Sequence, residues 1–251
     1  MAYLQECLIA FGQLADDAGL EVNLQVGEPW WWVNPPTQKP CFYDMPTRNA
    51  FHAAYPALYM VDFGTVLEAD LETGSPYDEM RAFLKLSLGN SVLGCRDAIK
   101  AALPNAKVTA LVFLPTIDDP DMGIMRDINL PNEQYKYPSL DFIMTEAYDW
   151  IIANDMLSTY KAMDYPLYTL NYPPDKIQYL AGCVFPEQPV EQRKLIWART
   201  FGNMQNNLLF NIAKQHIWAY PQVMMDSMTI VAQNDLIWCV VNGEAIQSVR
   251  I

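Results

Sequence analysis

Two glutamates stand where acid–base chemistry could be carried. Glu28 follows the alternating run Leu20 to Val26, held between Gly27 and Pro29 and next to Trp30, Trp31 and Trp32. A carboxyl beside large apolar rings loses hydration, which raises its pKa toward the range of a general acid. Tryptophan faces also stack on sugar rings. The same residues read equally as a packed loop anchor, with Glu28 capping a turn. Glu187 follows a second apolar run, Lys176 to Phe185, between Pro186 and Gln188-Pro189. It too has a second reading, because Pro186 to Glu191 resembles the start of a helix, where acids suit the dipole. As a pair, the two fit a retaining glycosidase, which needs carboxyls roughly 5–5.5 Å apart, one as nucleophile and one as acid/base.

Such a pair must be brought together by the fold. The chain opens on a helical pattern, with Tyr3, Leu4, Cys7, Leu8, Phe11 and Leu14 expected on one apolar face and Gly19 as its stop. Strand candidates follow at 20–26, 107–114, 140–144, 176–185 and 216–222, each ending in a loop rich in acids, aromatics or prolines. Helical patterns at 78–103 and 190–214 separate them. This βα repetition predicts an α/β fold with a parallel sheet, barrel-like in preference to an open doubly wound sheet. A barrel would place the strand ends, and both glutamates, on one rim. The tail differs. Asp235 to Val241, Asn242-Gly243 and Glu244 to Ile251 read as a β-hairpin with a type I′ turn. The predicted organisation is therefore a barrel-like part over 1–230 and a hairpin over 231–251 that starts a further β-rich segment.

Composition narrows the function. With 251 residues, 51% apolar and 18% charged, the chain can bury a large core. Sixteen basic against 29 acidic residues give a net charge of −13, which disfavours nucleic acid and anionic lipid as partners. No apolar run reaches the ~18–20 residues that span a bilayer. The N-terminal stretch is not a signal peptide. Five scattered cysteines and two histidines, His52 and His216, give no zinc spacing, and synthesis in a reducing compartment is expected. His216 reads as a buried core residue and His52 as structural. Asp118, Asp119 and Asp121 read as a solvated loop, not a calcium site. Neither a phosphate-binding glycine loop nor a serine-hydrolase elbow is present, and no cofactor is expected.

At these residues the chain resembles the C-terminal part of a glycoside-hydrolase barrel, from strand four to strand eight. The resemblance implies Glu28 as acid/base after strand four and Glu187 as nucleophile after strand seven. It implies Tyr148 near the nucleophile after strand six and Trp218 flooring a sugar site at strand eight, with Trp30 and Trp31 as further sugar contacts. Gly27 stands where that clan usually has asparagine, and strands one to three have no counterpart. The Gly27 to Trp32 loop, Cys41 to Asp44 and the trailing hairpin are also similar to the barrel domain of tailed-bacteriophage non-contractile tail sheath proteins. That resemblance implies a virion protein made in the bacterial cytoplasm, in which the barrel either acts on glycans or builds the tail. A barrel opened by three strands exposes sheet edges, so a chain completing it, or other tail-protein chains, are the expected partners beside carbohydrate.

Overall fold

The computed structural model describes residues 1–27, 33–34, 36–37, 39–65, 72–118, 128–182, 184–212, 214–233 and 236–250. Two compact units divide the chain, Met1–Asp141 and Phe142–Ile251.

In the first unit, α1 (Ala2–Asp17) closes at Gly19, whose φ of +71° suits a residue without Cβ. The chain then enters β1 (Asn23–Gln25), which pairs in parallel with β4 (Lys107–Thr109), Leu24 opposite Val108. Between these strands lie a two-residue ribbon, β2 (Val33–Asn34) with β3 (Lys39–Pro40), and two helices, α2 (Met45–Ala54) and α3 (Tyr77–Ala102). Asp44 caps α2 by accepting from Thr47 N at 3.0 Å. His52, in α2, faces the Leu58 carbonyl at 3.2 Å and stacks on Tyr59.

The apolar face of α3 buries Met80, Leu84, Leu88, Val92, Cys95 and Ile99. The helix runs through Gly89, where the Gln134 side chain occupies the place of a Cβ. The run from Val108 to Leu114 is buried throughout, as a strand covered on both faces should be, but it divides into β4 and β5 (Leu111–Phe113). Asp141 ties this unit together. It receives the Lys100 ammonium at 2.7 Å and Val108 N at 2.8 Å.

Much of the apolar face of α1 is turned to solvent, with Tyr3 81%, Phe11 67% and Leu14 66% exposed, while Cys7 and Leu8 are half-buried. The packed side carries Gly12, whose bare Cα lies against Leu103, Leu24 and Val22, and Gln5, which donates to Gly94 O at 3.0 Å. Close backbone approach at a glycine helps to seat this helix, with Leu8 and Ile9 half-buried on the same side.

In the second unit, β6 (Ile143–Glu146), β7 (Ile177–Ala181) and β8 (Lys214–Ile217) run parallel in chain order. A helix at Tyr148–Ala153 and shorter helical turns join β6 to β7, and Val190–Leu208 joins β7 to β8. Neighbouring strands are also neighbours in sequence, without the order reversal of a doubly wound sheet. The fold class is α/β, and no closed ring of strands forms among the described residues. After the helix Tyr220–Met225 the chain changes grammar. β9 (Thr229–Gln233), β10 (Leu236–Val241) and β11 (Glu244–Arg250) form an antiparallel sheet of three strands, not a lone hairpin. Asn242 and Gly243 turn it with φ of +50° and +80°, the signs of a type I′ turn.

Strand limits differ from the sequence reading in ways that matter. Residues 143–146 are the strand where 140–144 was expected, so Thr145 and Glu146 belong to it and are buried. The strand expected at 176–185 stops at Ala181, because Gly182 turns away with φ of +108°. The last strand ends at Ile217, and 220–225 is helical where strand was expected.

Candidate functional site

The carboxyl ends of β6, β7 and β8 carry the polar groups of the second unit. Side-chain alternation assigns them to faces. Tyr179 Oη accepts from Asn203 Nδ2 at 2.8 Å, so Tyr179 points to the helix Val190–Leu208. Gln215 joins it there, donating to Met204 O at 2.8 Å. The strand registers then place Met144 and Glu146, Gln178 and Leu180, and Lys214 and His216 on the opposite face. His216 and Gln178 are hydrogen-bonded across it at 2.9 Å. A barrel core is normally filled at such positions by branched apolar side chains. Here Glu146, Gln178, Lys214 and His216 share them. His216 is exposed rather than a core residue, correcting the sequence reading. Partial burial of its ring, then the Lys214 ammonium, lowers its pKa, so the ring is neutral at neutral pH.

Trp218 continues that face. Its backbone N donates to Ala181 O at 2.9 Å, and its peptide bond to Ala219 is cis. A Cβ at Gly182 would collide with the Trp218 carbonyl. The Trp218 indole Nε1 is buried and has no hydrogen-bond partner among the described residues. Tyr148 is half-buried against the cluster of Ile151, Phe185, Trp197 and Phe201, which it helps to cover. Glu187 sits exposed in the turn that leads into Val190–Leu208, six residues beyond the end of β7. Gln188 beside it is fixed at both ends. Its N donates to Phe185 O, and its carbonyl accepts from Arg193 Nη1 at 2.7 Å. Glu28, Trp30 and Trp31 lie outside the described residues, as do Asp119 and Asp121.

Sequence reasoning missed the most elaborate polar centre. Asp226 is fully buried. Its carboxylate accepts from Arg193 Nε at 2.7 Å, Trp197 Nε1 at 2.8 Å and Gln222 Nε2 at 2.7 Å. Its backbone carbonyl accepts from Asn242 N at 2.9 Å, and Gln222 Oε1 accepts from Phe185 N at 2.9 Å. One residue thus joins the helix Val190–Leu208 and the helix Tyr220–Met225 through its carboxylate and the β10–β11 turn through its backbone carbonyl. Three donors occupy the carboxylate, so it acts as a joint between these elements. Arg193 and Trp197 are four residues apart on a helix, but nothing local to Asp226 signals their meeting.

The strand order and the helices between the strands accord with one family description, "Non-contractile tail sheath protein TIM barrel", which matches residues 1–228. The chain belongs to that family. No curated protein and no solved structure matches it. The tail-sheath match stops one residue before β9, so the antiparallel sheet lies beyond the barrel domain that the family defines. No described helix is long and apolar enough to cross a membrane.

Proposed function

We propose that the chain is a structural component of a phage's non-contractile tail sheath, built into the virion by contact with other tail chains. The observation that carries this reading is the tail-sheath family match over residues 1–228. Two features agree with it. The buried Asp226 holds two helices through its carboxylate and the β10–β11 turn through its backbone carbonyl. Glu187 occupies an exposed turn, where its carboxylate keeps its hydration. Purified tails provide the test. The chain is expected in fixed stoichiometry with other tail proteins, and tails carrying Glu28→Gln or Glu187→Gln assemble and infect like the parent. Tails that form normally but lose infectivity with either substitution would favour an enzyme instead.

A second reading is a glycan-directed barrel, with Glu28 and Glu187 as acid/base and nucleophile and with Trp30, Trp31, Tyr148 and Trp218 as sugar contacts. The polar row of Glu146, Gln178 and His216 beside Trp218 favours it, because ligands of parallel barrels gather at the carboxyl ends of the strands. Oligosaccharide titration followed by tryptophan fluorescence tests it. A saturable change that Trp218→Ala removes is expected. No change with any surface glycan of the host would end this reading.

A further inference from the structure

We infer that the outward flank of the first unit, made by the apolar stripe of α1 and the second edge of β1, docks a strand–helix pair of another tail chain, whose helix carries basic residues beside its apolar ones. This rests on the sheath reading and assigns it a surface.

Leu4, Cys7, Phe11 and Leu14 recur at intervals of three and four, which sets them in one line along α1. Tyr3 lies beside that line, and Leu20, 65% exposed, continues the patch past the helix end. The inward side of α1 is already occupied through Gln5 and Gly12. The stripe is therefore surplus to the packing of its own unit. An exposed aromatic presents on the order of 150–250 Å², so Tyr3 and Phe11 with the three leucines offer several hundred Å². That approaches the ~800 Å² that each partner contributes to a stable interface, and a soluble monomer rarely leaves so much contiguous apolar surface bare.

The strand beneath points the same way. β1 pairs with β4 along one edge, and among the described residues no strand pairs with the other. α1 lies beside α3 as β1 lies beside β4. The stripe lies across α1 from Gln5 and Gly12, which touch α3 and β1, and one further strand and helix added at the second edge of β1 would meet it. Backbone groups on an open edge and apolar side chains on a helix are what a βα unit satisfies together.

Charge decides which chain can do so. Residues 1–38 hold no Lys or Arg, while α1 carries Glu6, Asp16 and Asp17. A second copy would bring the same acidic helix and a further net charge of −13, and like charges facing across an interface oppose binding. The occupant is thus a helix with apolar residues at i, i+3 or i+4, and i+7, flanked by Lys or Arg.

Cys7 reports on the stripe directly, with exposed Cys41 and buried Cys95 as references in the same chain. The experiment compares N-ethylmaleimide labelling of the isolated chain and of purified tails, read by peptide mass spectrometry. In the isolated chain Cys7 is expected to label between Cys41 and Cys95. In tails its labelling falls at least tenfold, and a photo-cross-linker on Cys7, loaded before reassembly, reaches a basic amphipathic helix of another tail protein. Phe11→Asp, with an unchanged circular dichroism spectrum, leaves the chain out of tails. Equal Cys7 labelling in both states, a cross-link to a second copy, a cross-linked segment without basic residues, or normal incorporation of Phe11→Asp would each overturn the inference. A chain absent from tails would overturn the sheath reading and this inference with it, whereas a chain present with Cys7 open overturns only the inference.

Discussion

The helices Ala2–Asp17 and Val190–Leu208 are both amphipathic, and they end in opposite states. The later helix is bolted down. Ile196, Trp197 and Phe201 enter the core, and Arg193 and Trp197 meet the Asp226 carboxylate. The first helix meets its own unit at a glycine and a glutamine, with Leu8 and Ile9 half-buried beside them, and holds two aromatics out to solvent. One region has spent its polar and apolar valence internally and the other has kept it for a partner. In a chain built for assembly, stability and function separate along that line. Substitutions at the second region should unfold, and substitutions at the first should leave a folded chain that does not assemble.

The largest effect is expected at Gly182. Its φ of +108° and the Trp218 carbonyl beside it leave no room for a Cβ. Gly182→Ala combines backbone strain with overpacking, for a cost of roughly 3–5 kcal/mol, seen as loss of soluble protein or a steep fall in Tm. Close behind comes Asp226→Ala, which strands the buried Arg193 guanidinium and should cost about 3–5 kcal/mol by denaturant unfolding. Asp226→Asn keeps one acceptor and should cost less. If both were neutral, the joint would not be what holds these helices. Cysteine labelling sharpens the contrast further. Burial pushes the Cys239 thiol up to about 11 and raises that of Cys95, so both should resist alkylation at pH 8 while exposed Cys41 reacts at once.

The smallest effect concerns pH. The folded state holds His216 at a lowered pKa through burial and then Lys214, so the unfolded chain binds its proton more readily. Its contribution to stability is present above the ordinary histidine value near 6.5 and is lost as pH falls from there through the lowered folded value. Because the ring is exposed, the change should be slight, and His216→Gln should flatten it in a pH series of thermal melts.

Much of the fold was legible because periodicity survives locally. The run from Val108 to Leu114 is buried throughout, and Asn242-Gly243 turns with the positive φ values that this pair favours. Strand ends were less so. Thr145 and Glu146 are polar residues that extend β6 into a buried position, and polarity alone marked them as loop. The α1 face was legible as a stripe but its exposure was not, since spacing shows which residues share a face and not what covers it. Asp226 was invisible for a different reason. Its partners come from three separate segments, and only the folded chain brings them together.

The most direct test of the account places Phe11→Asp and Glu187→Gln side by side and counts copies of this chain per purified tail by quantitative mass spectrometry. The account predicts parental copy number for Glu187→Gln and at least a tenfold loss for Phe11→Asp, with both chains folded before assembly. Parental copy number for Phe11→Asp, or loss of the chain from tails with Glu187→Gln alone, would contradict it.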